Sequence, residues 1–194
     1  MYATRPQLEE AVRYVIDTKT SKFVVQAFAT GLLSAFAHSP KIAIREFEGD
    51  LSFVPSASAL ENTRLQIRVR ADSLEVIDDI SEKDRQEIQS RMRDEVLQAE
   101  GFPEIVYDCS RITASGSGPS YWAALVGDLT LRGVTQPQPI SARVTLSGDS
   151  LRASGELTLR QSAYGIAPVT AAGGTIRLKD ELKFTFDITA RKQA

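Results

Sequence analysis

The chain carries a single imidazole and a single thiol, His38 and Cys109, and acid–base, nucleophilic or metal chemistry would have to be built around them. An imidazole titrates near neutral pH and can act as a general base, but it needs a nucleophile or an orienting carboxylate within reach. The surrounding AFAHSPK, residues 35–41, supplies neither, so His38, two residues before Pro40, is expected to be structural and to stand at the start of a strand. One cysteine excludes an internal disulfide and a thiolate zinc site within one chain. One histidine excludes a multi-histidine metal site. Cys109 shares parity with Ile105 and Tyr107, which points it inward as a small, inert apolar group; reactivity would require exposure and a neighbouring positive charge. No phosphate-cradling glycine loop, dinucleotide fingerprint or strained serine elbow is present. SGSGPS at 115–120 is followed by a strand pattern, as a hairpin loop would be. These residue types assign no catalytic group, no metal ligand and no cofactor.

With 194 residues, 42% of them hydrophobic, the chain can bury a core as one domain, and all-β barrels use about this length as a single unit. A net charge of −2 argues against nucleic acid as a partner, because nucleic-acid binders concentrate a basic excess. Arg64, Arg68 and Arg70 do cluster, but with Gln66 and Asp72 they read as the solvated face of one strand. The first residues, MYATRPQLEEAVR, are charged where a secretory signal is apolar, so the expected location is cytoplasmic. FVVQAFATGLLSAFA, residues 23–37, is the least charged stretch, yet it contains Gln26, Thr30, Gly31 and Ser34 and is too short for a helical membrane span. It reads as a strand followed by a short apolar segment, and no transmembrane segment is expected.

The elements around these residues are mostly strands. In GDLTLRGVTQPQPISARV, residues 127–144, Leu129 and Leu131 alternate with Asp128, Thr130 and Arg132. Gly133, Pro137 and Pro139 interrupt, and alternation resumes at Ile140, Ala142, Val144 and Leu146. That is strand, turn, strand. The same period of two runs through 22–29, through 42–53 with Phe47, Leu51 and Phe53 on one parity, and through 64–72 with Leu65, Ile67 and Val69. It recurs through 104–113, through 151–160 with Leu157 and Leu159, and through 181–191 with Leu182, Phe184, Phe186 and Ile188. About eight strands joined by turn-rich links make a sandwich or a closed antiparallel barrel. The charged outer parity excludes the lipid-facing wall of an outer-membrane barrel. An eight-stranded barrel is just wide enough for side chains to fill or for one ligand to occupy, and alternation does not separate the two. Only DISEKDRQEIQSRMRDEVLQAEGF, residues 79–102, breaks the pattern, with Ile80, Ile88, Met92 and Val96 at helical spacing. Ser81 with Asp84 three residues on can cap its start, and Gly101 is placed to end it in a left-handed turn. Its apolar stripe is narrow, so the helix is expected to lie on the barrel.

Four strings carry a resemblance. YVID at 14–17 with Ser21, FPEIVYDC at 102–109, GDLTLRGVTQPQPI at 127–140 and RQSAYGI at 160–166 occur in the order and spacing of the YceI-like family of lipocalin-like barrels. The chain resembles that family from about Arg13 onward, which implies a mainly β, eight-stranded antiparallel barrel with one main α-helix packed against it. Residues 1–13 are then an N-terminal extension and 14–194 a single barrel domain. The chain departs from the family's pattern at Cys109, at Tyr164, and most in LLSAFAHSPKIAIREFEG, residues 32–49.

The resemblance also implies function: non-catalytic binding, transport or sequestration of an isoprenoid lipid, a polyprenyl or quinone-type chain, in an apolar tunnel. The residues expected to touch it are Phe47 and Leu51, then Ile67 and Val69, Leu125 and Leu129, Val144 and Leu146, Leu157 and Leu159, and Phe184 and Phe186. His38, Arg160 and Tyr164 are expected at the mouth, near the ligand's polar head; for Arg160 a bridge to a surface carboxylate is an equal reading. A hydrophobic small molecule is the expected partner, and a homodimer is a further expectation. Two other readings stay open: an enzyme acting on a small apolar substrate, with His38 as its imidazole, and an interaction module whose barrel is filled.

Overall fold

The computed structural model describes residues 11–31, 39–55, 60–117, 119–171, 174 and 176–193. His38 therefore lies outside the described residues. The chain begins with β1 (Val12–Ile16), β2 (Lys22–Gln26) and a short β3 (Ala29–Thr30), and returns through β4 (Lys41–Ile44) and β5 (Phe47–Pro55). Then β6 (Leu60–Arg70) and β7 (Leu74–Val76) lead to the helix α1 (Glu82–Arg91). The long strands follow: β8 (Glu104–Ser117), β9 (Ser120–Leu131), the short β10 (Val134–Pro137), β11 (Ile140–Ser147) and β12 (Ser150–Arg160). The chain ends with β13 (Thr170–Ala171), β14 (Ile176–Leu178) and β15 (Glu181–Lys192).

Register reduces eleven of these strands to eight staves; β10 pairs only with β9, and β3, β13 and β14 form a separate three-stranded sheet. β1 and β2 both pair with β15, at Ile16↔Ala190 and Phe23↔Phe186, and so form one stave interrupted by a turn. β4 and β5 lie against that stave in the same way, and β6 and β7 against β4 and β5. From there the order is β8, β9, β11, β12 and β15, and the pairing of β15 with β1 closes the circle. Every pair is antiparallel, so the expected eight-stranded barrel is the observed one. Ser21, in the turn that splits the first stave, donates its hydroxyl to the Thr189 carbonyl at 3.2 Å. Closure of this kind removes free sheet edges.

Two local features differ from the alternation. On β8 the register shifts between Cys109 and Arg111. Strict alternation would carry the inner face from Ile105, Tyr107 and Cys109 on to Arg111; the extra residue puts Ile112 and Ala114 there instead, because one inserted position reverses every side chain beyond it. The interruption in the 127–144 string is shorter than its glycine and prolines suggest. Arg132 (φ 51°) and Gly133 (φ 71°) form the whole turn, a left-handed two-residue hairpin. β10 then pairs straight back onto β9 at Val134↔Leu131, and the Gln138 N–H still reaches the Gly127 carbonyl at 2.8 Å.

The helix covers a strand edge as well as an apolar face. Ile80, Ile88 and Val96 pack half-buried on the core, and Met92 is buried in it, as the helical spacing predicts. In addition the Gln89 side chain accepts from the Val76 N–H at 3.0 Å and donates to the Leu74 carbonyl, while Arg85 donates to the carbonyls of Val76 and Asp78, both at 2.7 Å. The Leu74 and Val76 groups are backbone groups of β7 that no strand meets, so α1 takes the place of a neighbouring strand there. Ser81 caps the helix through the Asp84 N–H at 3.1 Å. The helix widens into a π turn at Met92–Val96, and Gln98 (φ 50°) takes the left-handed position expected of Gly101.

Candidate functional site

The barrel is hollow. A cavity of about 900 Å³ runs along its axis, and every stave contributes to the wall. On the sequence's inner parity, Leu51, Ile67, Val69, Leu125, Leu129 and Val144 line it. So do Leu146, Leu157, Leu159, Phe184 and Phe186. Phe47 does not. It faces inward but stands behind Phe23, whose ring meets it edge-on at 4.8 Å between centroids. Alternation also missed Tyr14, Ile16, Phe23 and Val25, which line the cavity from the first stave; the period of two is there in YVID and KFVVQ, but five residues of turn divide it.

One end of the cavity is closed. Ile42, Val76, Met92, Leu131, Tyr164 and Ile166 are all buried where the helix and the 161–166 turn cover the barrel. At the other end Phe53, Leu60, Tyr121 and Leu151 are only half-buried and Leu146 is 38% exposed. The described residues thus form a blind pocket with its mouth at the β8–β9 and β11–β12 hairpins. This placement corrects two of the residues expected at the mouth. Tyr164 is 2% exposed, in a short turn at the closed end, and its apolar neighbours there push its phenol pKa up by desolvation. Arg160 follows the inward Leu159 on β12 and so points outward, where it binds Glu181 at 3.2 Å. Of its two readings, the surface bridge is the one observed.

Three of the four strings that carry the family resemblance meet one another rather than the cavity mouth. Phe102 packs on Gly133, where an added Cβ would come within 2.8 Å of its ring. Tyr107 lies across Gly127, where an added Cβ would stand 2.7 Å from its hydroxyl and 2.5 Å from the Asp108 carbonyl. The same hydroxyl donates to the Gln138 carbonyl at 3.1 Å. Gln136 reaches the Ala163 carbonyl at 3.2 Å and Arg132 the Gly165 carbonyl at 3.5 Å. The three strings on β8, β9–β10 and the 161–166 turn therefore form one seam beside the closed end.

Cys109 is buried at 3% exposure and donates its thiol to the Arg111 carbonyl at 3.2 Å. Burial pushes its pKa up, and that of Tyr107 likewise. A raised pKa means that the native state holds its proton where the unfolded thiol, ordinarily near pH 8.5, releases it. The stabilisation is therefore fully present below that pH and is lost as pH rises through the folded value. Denaturant midpoints at about pH 7 and about pH 10 are expected to fall with pH, and Cys109→Ala to remove the thiol's part of the fall and reduce that of Tyr107, whose phenol is raised first by burial and then by the neighbouring thiol. Alkylation of the native thiol is expected to be roughly tenfold or more slower than in the unfolded chain. Equal rates would show that Cys109 is accessible.

The fold and the site together define a class: a closed antiparallel barrel of eight staves around an apolar pocket that is blind at one end. The chain belongs to the family of YceI-like domains, whose model matches residues 14–190. A UPF0312 protein of Shewanella denitrificans is 27% identical over 143 residues, covering 74% of this chain and 68% of that protein. Among solved structures, BcnA of Burkholderia cenocepacia superposes with a TM-score of 0.67 at 17% identity, over 90% of this chain and 98% of its own. A polyisoprenoid binding domain from Saccharophagus degradans, implicated in plant cell wall breakdown, gives 0.67 at 13% identity, over 93% and 98%. The YCEI protein of Campylobacter jejuni gives 0.60 at 13%, over 81% and 88%. Among the described residues no helix is long and apolar enough to cross a membrane.

Proposed function

We propose that the protein binds and carries one isoprenoid lipid, a polyprenyl or quinone-type chain, without acting on it chemically. The cavity is the observation that carries this reading. At about 30 Å³ for a water-sized group, its volume of about 900 Å³ accommodates roughly thirty such groups. Each methylene-sized unit buried there is favourable by about 0.8 kcal/mol, so a long chain is held by its length rather than by any single contact. Polar residues bordering the described cavity are few: Tyr14, Tyr107, Tyr121 and Gln138, together with Thr113 and Arg111, which lie on the outward parity of β8 beyond the bulge, with no carboxylate, imidazole or thiol among them. That supports binding over catalysis, since of the usual general acid–base groups the described wall offers only tyrosine phenols, and that of Tyr107 is bonded to the Gln138 carbonyl. The Saccharophagus degradans domain, described as polyisoprenoid binding, supports the ligand class.

Mass spectrometry of an organic extract of freshly purified protein tests the reading. A single class of prenyl lipid, near one molecule per chain, is expected. His38→Gln is expected to leave that stoichiometry and the affinity within a few-fold of the parent. A lipid-free extract, together with failure to take up added polyprenol or quinone, would overturn the proposal. A turnover abolished by His38→Gln would replace it with the enzyme reading.

A further inference from the structure

Among the described residues four large apolar side chains are exposed: Trp122 at 61% and Leu146 at 38% near the cavity mouth, Val126 at 49% four residues further along β9, and Ile77. Trp122, Ala124 and Val126 alternate along the outer face of β9 and are all exposed. Directly opposite residues of an antiparallel pair share a face. Arg143 of β11 lies opposite Trp122, and Arg111 of β8 opposite Val126, so exposed arginines flank the apolar strip on both sides. Arg64 of β6 adds a third exposed cation on the far side of β8, beside Leu65, which pairs with Cys109. Among the described residues none of these three is ion-paired, whereas Arg13, Arg68, Arg152 and Arg191 are. There is also no carboxylate on β11, on β9 before Asp128, or on β8 beyond Asp108. In a chain of net charge −2, the part of this wall between the mouth and the exposed Asp108–Asp128 pair is locally cationic.

We propose that this outer wall docks on an anionic lipid bilayer, with Trp122 and Val126 at the headgroup level and Arg64, Arg111 and Arg143 on the lipid phosphates. Amphipathic tryptophan is favoured at that depth, and basic side chains are drawn to an anionic leaflet within about a Debye length. Bound in this way, the mouth beside Leu146 opens along the bilayer surface, which shortens the path through water of an apolar cargo passing between bilayer and cavity. The proposal stands on the outer wall and does not depend on which lipid the cavity holds.

Trp122 is the chain's only tryptophan, so its emission reports docking directly. Vesicles of an equimolar mixture of phosphatidylglycerol and phosphatidylcholine are expected to shift it to the blue, and brominated lipid in those vesicles to quench it. Vesicles of phosphatidylcholine alone are expected to do neither, and molar salt to reverse the shift. Arg111→Gln and Arg143→Gln are each expected to weaken vesicle partition about fivefold, and Lys83→Gln on the helix to leave it unchanged. An emission spectrum indifferent to anionic vesicles would overturn the proposal, whatever the variants do. Partition unchanged in the double arginine variant, or equal on neutral vesicles, would do so too, as would a shift produced by single-stranded RNA and not by vesicles. A cavity found to hold a lipid of another class would leave all these results in place.

Discussion

Leu129→Trp is expected to leave the barrel folded and to abolish most of its lipid binding. Leu129 lies on β9, opposite Tyr107 of β8 and Gln136 of β10, and its side chain borders the cavity. In a filled core the added bulk would force neighbours off their rotamers at a cost of typically 1–3 kcal/mol. Here the ring has the cavity to enter, so the thermal midpoint is expected to stay close to the parent. What the ring displaces is ligand. Excluding about three methylene-sized units at about 0.8 kcal/mol each removes about 2.4 kcal/mol, roughly a fiftyfold loss of affinity. Arg68→Trp is the control: Arg68 is exposed on the outer face of β6, where its nearest carboxylate, Glu104, is 3.8 Å away. That substitution is expected to change neither quantity. The two readouts are the thermal midpoint and the lipid bound per chain. Unfolding by Leu129→Trp in a parent that carries no lipid would mean an ordinary filled core, and undiminished binding would mean that position 129 does not border the ligand.

Gly127→Ala is expected to act in the opposite sense, on stability first. The Cβ it introduces falls 2.5 Å from the Asp108 carbonyl and 2.7 Å from the Tyr107 hydroxyl. Neither neighbour is free to give way: the carbonyl belongs to the β8 backbone, and the hydroxyl is bonded to the Gln138 carbonyl. Overpacking of this kind costs about 1–3 kcal/mol, which for a chain of this size lowers the thermal midpoint by roughly 2–12 °C. Tyr107→Ala alone is also destabilising, since it empties space in a close-packed seam and leaves the Gln138 carbonyl without its donor. The double variant Gly127→Ala with Tyr107→Ala is expected to cost less than the sum of the two, because the ring that clashes is gone. Strict additivity would mean that the glycine is not there to admit the tyrosine.

Much of the barrel is readable from single strands. Alternation puts Leu129, Val144, Leu157 and Phe186 on the inner parity, and all four line the cavity. Ile80, Ile88, Met92 and Val96 mark the helical face that packs on the core. Both depend on side-chain direction alone, with a period of two on a strand and near 3.6 on a helix, and that direction is local. Arg160 shows the same rule from the other side: its parity points it outward from β12, and the structure places it there despite its position in a string shared with the family.

Where parity fails, a contact distant in sequence has intervened. The bulge at Cys109–Arg111 redirects β8, Phe23 stands in front of Phe47, and the turn at 17–21 hides that β1 and β2 are one stave until both are seen against β15. By itself the sequence determined which residues of the regular strands face inward, that the strands are antiparallel neighbours, that a helix interrupts them, and that no thiolate or multi-histidine centre can form within one chain. Only the tertiary structure decided that the interior is hollow, that the helix and the 161–166 turn close one end, and that Tyr164 belongs to that closure. The reason is geometric. A residue's face follows from its own backbone, whereas the width of a barrel and the sealing of its ends follow from the registers of all eight staves together, including the one that joins Ile16 to Ala190.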